Sequence, residues 1–301
     1  MLPFSRFAAY FLELARLGSL RKAAASLHVS ASAIDRQVLL AEAELGTALF
    51  ERLPAGLKPT LAGEMLLADL RRWRKDYAGT LERLDELRGL RRGHVTLAVI
   101  EALAEGLLVQ ALAALAERVP GLTFDIQVAE SARVADLVGR AEVDLGLSLD
   151  PVEHAGLEVR TLMEVPLGVV VPPGHPLAGE AQLSLSRLVP YRQLVPAAPL
   201  IVHASVQAMY ARHRIESRQV VTCNNVRLLR SLVRSGVGIG VLGSIDVAGD
   251  VADGNLVFVP LLRRQARPLQ LGLCVARRRQ LSRAAQLVLQ EVVAHMQQTS
   301  T

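Results

Sequence analysis

The sequence predicts an α/β chain: an all-α unit leads, one long helix follows, and strands and helices alternate through the rest. Three observations carry this. Residues 18–63 hold two short amphipathic helical patterns joined by a tight turn and followed by a basic loop. Residues 61–87 carry one apolar stripe at helical spacing, without a proline. From residue 94 onward, short apolar runs alternate with helical patterns, as parallel α/β units require.

In the leading unit, Ser19 is placed to cap a helix at 20–27, whose alanines Ala23, Ala24 and Ala25 let a second helix cross closely. His28 and Val29 form the turn. Ser30 caps the next helix, along which Ala33, Ile34, Val38, Ala41 and Leu45 form the inward face, and Gly46 stops it. The outward face of the first turns offers Ser30, Ala31, Ser32, Asp35, Arg36 and Gln37. Small residues there let a backbone enter the major groove of DNA, and longer ones reach base edges or phosphates. With the loop ending in Lys58, Pro59 and Thr60, the pattern is that of a winged helix-turn-helix, the helix-turn-helix itself spanning about 20–39. By periodicity alone, a three-helix cap on an unrelated domain would look the same.

Charge placement agrees. Of a net +5, residues 1–92 hold 15 Lys and Arg against 11 Asp and Glu, and the remainder 19 against 18. The excess lies where phosphates would be met, and cations gain there by releasing condensed counterions. Charges at Arg6, Glu13 and Arg16 interrupt any signal-peptide core, and no apolar run approaches the ~18 residues of a membrane span. The expectation is a cytoplasmic protein with no membrane partner. Cys223 and Cys274 are far apart, without metal-ligand spacing, and read as free thiols.

The stripe at 61–87 consists of Leu66, Leu70, Trp73, Tyr77, Leu81, Leu84 and Leu87, with Arg71, Arg72, Arg74, Lys75, Glu82, Arg83, Asp85 and Glu86 between them. Such a helix, about 40 Å long, needs either the chain's own body or a partner against its apolar side.

After a break at the glycines 89 and 93, strands are expected at 94–100, 122–129 and 143–149, with helices at 103–118 and from Ser131. A second set runs from about 166: strands at 167–172 (LGVVVP), 200–203, 219–223 and 238–243, and a helix from Asn225. The strand 269–276 and a helix at 281–298 return to the first set. Crossings near 164–167 and 263–268 then give two lobes and a cleft.

The chain resembles the LysR-type transcriptional regulators. The resemblance rests on Phe11, Ala15, Gly18-Ser19, Ala23-Ala24, Leu27, Val29-Ser30, Arg36-Gln37, Glu42, Leu45-Gly46, 49–52 (LFER) and 57–63 (LKPTLAG), and the later organisation extends it over essentially the whole chain. It departs on the reading surface: Ala31 stands where the family usually has a base-contacting Gln, and Asp35 where it usually has Ser. Ala41 replaces a common core Leu. The resemblance implies a winged helix-turn-helix at 1–60, a dimerisation helix at 61–88, and an effector domain at 93–301 similar to periplasmic binding proteins. Lobe I would be 93–164 and 268–301, and lobe II 165–267. It implies an antiparallel pairing of the linker helices into a dimer, with tetramers common in the family. Two symmetric heads imply double-stranded DNA with a partly palindromic operator. A small-molecule effector and RNA polymerase are the further partners.

On this reading Ser30, Ser32, Ala33 and Gln37 approach bases, Ala31 and Asp35 belong to the same DNA-binding surface, and Arg36, Arg52, Lys58 and Thr60 hold phosphates or the adjacent minor groove. In open sheets, ligands sit beyond the carboxyl ends of strands, near helix N-termini. That points to Glu101, Ala102, Ser131, Ser148, Ser205, Asn224 and Asn225. Ser131, Ser205 and Asn225 could equally be helix caps. Glu101 and Glu130 would repel an anion unless they point away, so the effector's charge stays open.

Other motifs carry less. Gly236, Gly238 and Gly240 mimic a phosphate loop but follow a helix and enter a strand, the reverse of the dinucleotide order. The seven histidines are scattered, without HExxH, and no nucleophile elbow occurs, so no enzyme, cofactor or metal is expected. Arg277 opens a cationic run to 279 that reads as a solvated end. A solute-binding protein or enzyme with an appended helical domain is the alternative. It would need an export signal or a catalytic constellation, and neither is visible. A nucleoid-type binder would leave the two-lobed region unexplained.

Overall fold

The computed structural model describes residues 6–54, 56–87, 93–152, 156–277 and 280–299. The expected break at 89–92 and positions 278–279 of the cationic run lie outside them. So do the side chains of Lys75, Glu82, Arg83, Asp85, Glu86 and Leu87 in the stripe. The chain divides into two compact units, residues up to 88 and from 89 on, the turn at 140–142 aside.

The first unit contains α1 (Arg6–Leu17), α2 (Leu20–Leu27), α3 (Ala31–Leu45), the hairpin β1 (Phe50–Leu53) and β2 (Gly56–Pro59), and α4 (Leu61–Leu87). Its core gathers Phe11, Leu14, Ala23, Ile34, Val38 and Phe50 with Leu67 and Leu70 from α4. The rings of Phe11 and Phe50 lie 4.9 Å apart, so α1 and the hairpin share one apolar contact. Leu45, expected to face inward, is 55% exposed. Ile34 and Val38 fill the core, and the last turn of α3 runs past it. On α4, Trp73, Leu81 and Leu84 of the stripe remain 46%, 43% and 47% exposed, while Tyr77 is half-buried.

In the second unit, elements follow as β3 (Gly93–Val99), α5 (Leu107–Arg118), β4 (Leu122–Val128), α6 (Ser131–Gly139), β5 (Leu145–Leu149), β6 (Leu157–Val165) and β7 (Leu167–Val171). Then come β8 (Arg192–Pro196), α7 (Ile201–His213), β9 (Arg218–Cys223), α8 (Val226–Arg234), β10 (Ile239–Gly243), α9 (Ala248–Ala252), β11 (Val257–Pro260), β12 (Leu269–Ala276) and α10 (Arg283–Thr299). Two five-stranded sheets result, in the orders β4-β3-β5-β12-β6 and β11-β7-β10-β8-β9. In the first, β3 pairs in parallel with β4 and β5, while β12 runs antiparallel to β5 and β6. The sheets are therefore mixed, because the returning strand enters from the other lobe.

One strand expectation is corrected. Residues 200–203 open a helix, since Val202, Val206, Met209 and Tyr210 are buried at helical spacing. The strand of that region is instead β8, which pairs in parallel with β9 and β10.

Candidate functional site

In the reading head, two caps set the geometry. The left-handed backbone of His28 (φ 55°) closes α2, its N–H reaching the carbonyls of Ala24 and Ala25. Ser30 Oγ accepts the Ala33 N–H at 3.2 Å and lies 3.1 Å from Ser32 Oγ. A clamp holds α1 on α2: Glu13 accepts from Arg16 at 2.9 and 2.6 Å and from Ser26 at 2.5 Å. The Arg16 and Ser26 hydrogen bonds hold the Glu13 carboxyl down at about 2. Glu42 fixes the start of the hairpin by accepting the N–H groups of Leu49 (2.7 Å) and Phe50 (3.1 Å). Glu42→Ala strands both donors, and a lost hydrogen bond to a charged group costs about 1.5–3 kcal/mol. A lower urea midpoint at unchanged slope is the expected result, and an unchanged midpoint would show that water replaces the carboxylate.

The structure sorts the expected DNA contacts into two groups. Ser32 and Arg36 are exposed, and Ala31, Ala33 and Gln37 are half-buried on the same helix start as Ser30. Arg36 and Lys58 have no carboxylate partner among the described residues. Two other candidates are engaged with each other, since Arg52 donates to Asp35 at 2.6 Å and ties β1 to α3. Thr60 works internally, donating to the Ala48 carbonyl (2.7 Å) and accepting the Gly63 N–H (3.1 Å) at the start of α4. Its hydroxyl is thus a cap, a correction to its expected role at phosphate.

In the second unit, a cavity of about 280 Å³ lies between the two lobes. Glu101, Ala102, Ser131 and Asn224 line it, as expected. Ser131 is no cap: its Oγ accepts the Leu149 N–H at 3.2 Å and holds α6 to the end of β5. Asn225 does cap α8, accepting the Leu228 N–H at 2.8 Å. Ser148 is buried on β5, its hydroxyl without a hydrogen bond among the described residues, and it is not part of the lining. Ser205 is a correction. It sits in the body of α7 and lines a separate cavity of about 550 Å³ with Met209, Arg212 and Arg267. The misplaced strand at 200–203 put it beside the cleft.

Sequence reasoning missed Asp246 and the wall at Pro199–Val202. Asp246 follows the carboxyl end of β10, so the rule that found Glu101 would have found it too. It is 5% exposed and accepts the Gly243 N–H at 2.8 Å. Burial pushes its carboxyl up to about 6, against the opposing pull of that hydrogen bond and of Arg230. Arg230 joins the lobes across the cleft, donating to Asp250 at 2.5 Å and to Glu105 at 2.8 Å. Among the described residues no group of three or more His, Cys, Asp or Glu could hold a metal ion.

A capped helix with a free polar face and a hairpin beside it define a helix-turn-helix DNA reader. A lined cleft between α/β lobes defines a small-molecule receptor in the same chain. Residues 6–64 match the profile of the bacterial regulatory helix-turn-helix protein, lysR family, and residues 88–297 match the LysR substrate binding domain. The chain belongs to the LysR family of transcriptional regulators, proteins that bind DNA and carry an effector-binding domain. The transcriptional activator protein LysR of Escherichia coli is 29% identical over 268 residues, covering 84% of this chain and 83% of its own. A full-length OxyR variant from Pseudomonas aeruginosa shares the fold with a TM-score of 0.71 at 19% identity, over 97% of this chain and 93% of that one. The regulatory domain of CcmR from Synechocystis PCC6803, in complex with 2-PG, shares it at 0.58 and 21% identity, over 67% and 97%.

Proposed function

We propose that residues 1–60 read a partly palindromic operator, that 61–88 pair two copies of the chain, and that 93–301 sense an effector in the cleft. Bases are approached by Ser30, Ala31, Ser32, Ala33 and Gln37, while Arg36 and Lys58 hold phosphates and the Arg52–Asp35 pair fixes the angle of the wing. One observation carries this reading. Among the described residues, Arg36 and Gln37 in the first turns of α3 make no side-chain hydrogen bond or ion pair, on a helix whose other side is locked into a core. Pairing rests on Trp73, Leu81 and Leu84, an apolar side that needs a partner. The effector alters affinity or DNA bending, as a regulator rather than an enzyme. The setting is cytoplasmic, and RNA polymerase is a further partner. Among the described residues no helix is long and apolar enough to cross a membrane.

Selection from random duplexes, followed by salt titration on the selected site, tests the assignment. Arg36→Ala should weaken binding to every duplex and lower the slope of log K against log salt by about one, the share of one phosphate contact. An unchanged slope removes Arg36 from the backbone contacts, and selection of no site removes operator reading.

A further inference from the structure

We infer that the effector of the cleft is a small organic cation, a molecule presenting a protonated amine; this rests on the effector reading above and narrows it. Three carboxylates line the cavity, Glu101, Glu130 and Asp246, and no Lys, Arg or His is among its lining residues. Glu101 and Asp246 also border an adjacent crevice of about 20 Å³ together with Arg227 and Arg230. There Arg230 is paired with Asp250 and Glu105, and Arg227 is exposed.

Asp246 makes this more than an acidic surface. The residue is 5% exposed yet lines the cavity. One carboxylate oxygen accepts the Gly243 N–H, and the other has no hydrogen-bond partner among the described residues. An anionic group with little access to water and an open acceptor is costly unless a donor or a cation arrives. An ammonium group supplies both, with three donors and a compact charge.

The opposing influence is smaller. The first turns of α6 at Ser131, of α7 at Ile201 and Val202, and of α8 at Val226 also line the cavity, and α7 has no side-chain cap. Each helix N-terminus carries about half a positive charge and favours an anion by about 0.3–1 kcal/mol. Three carboxylates around a space of about 280 Å³ outweigh three such half charges. A carboxylate on the same ligand could rest on the α7 end, but the net preference is for positive charge.

The test uses the full chain and three matched panels. One holds amines (1,4-diaminobutane, 1,5-diaminopentane, L-lysine, L-arginine), one the dicarboxylates succinate and glutarate with hydroxy acids, and one the corresponding diols. Thermal unfolding finds binders and calorimetry measures them. The expected result is that amines alone raise the midpoint, and that Glu101→Gln and Asp246→Asn each weaken the best amine by about tenfold or more, the worth of one charge-assisted hydrogen bond. Glu101→Gln keeps the test open should Asp246→Asn fold poorly. Binding of a dicarboxylate or diol at least as tight as any amine overturns the inference and leaves the effector reading standing. An amine bound equally by both variants lies outside the cleft and also overturns it. No shift from any panel brings down the effector reading, and this inference with it.

Discussion

Gly63→Ala is expected to unfold the reading head, against what helix propensity alone would say. In the interior of a helix, alanine is favoured over glycine by about 0.5–1 kcal/mol. Gly63 lies in the first turn of α4, where an added Cβ would stand 2.1 Å from the Leu49 carbonyl oxygen and 3.2 Å from Pro59 Cβ. The nearest atom is backbone and is already engaged, since that carbonyl accepts the Thr60 N–H at 3.0 Å. Relief would require α4 to lift from the base of the hairpin, breaking the contact of Thr60 Oγ1 with the Gly63 N–H and exposing Leu67. Overpacking typically costs 1–3 kcal/mol where side chains can yield, and more where backbone must move. A unit of about 90 residues has only a few kcal/mol in hand. Trp73, the chain's one tryptophan, sits on α4 and reports on this unit. Its fluorescence transition in urea should shift to a much lower midpoint, with loss of DNA binding. A variant as stable as the parent would mean that α4 does not approach the hairpin as closely as described.

How much of this was legible in the sequence depended on whether the signal was local. The caps at the two ends of α3 were readable because Ser30 and its Ala33 partner lie three residues apart, and Gly46 follows directly on the helix it ends. The engagements of Arg52 and Thr60 were not, because their partners Asp35 and Ala48 are brought near only by the folding of the hairpin. Periodicity likewise placed Leu45 on the inward face, but could not say where the core stops. In the second unit, the rule that ligands gather beyond strand ends located Glu101, Ser131 and Asn224. It failed for Ser205 because an apolar quartet at 200–203 looks the same at the start of a buried helix as in a strand. Asp246 was hidden for another reason. One acidic residue after a glycine-rich strand carries no mark of burial, and its burial comes from the second lobe folding around it.

Asp246→Asn should stabilise the empty protein at neutral and alkaline pH and leave it nearly unchanged in acid. In the folded chain burial holds this carboxyl near 6, whereas an ordinary Asp titrates at 3.8. Below 3.8 the group is neutral in both states, and the folded state suffers nothing. As pH rises toward 6 the unfolded chain gives up its proton more readily, so stability is lost over that window. Above it, the folded protein carries a buried anion beside Glu101, only partly offset by Arg230 and the Gly243 N–H. The gap between the two titrations amounts to roughly 2–3 kcal/mol at pH 8. Asparagine keeps an oxygen to accept from Gly243 and never ionises, so the variant escapes that loss. Urea unfolding at pH 4 and pH 8 reads the difference directly: near-coincident midpoints at pH 4, and a higher midpoint for the variant at pH 8. A variant no more stable at pH 8 than at pH 4, relative to the parent, would mean that the charge is fully compensated in the empty cleft. A bound cation would reverse the ranking, because it neutralises the Asp246 carboxylate, one oxygen of which has no donor among the described residues. A liability of the empty receptor therefore becomes a source of selectivity in the occupied one, and the parent should gain more stability than the variant from the same amine.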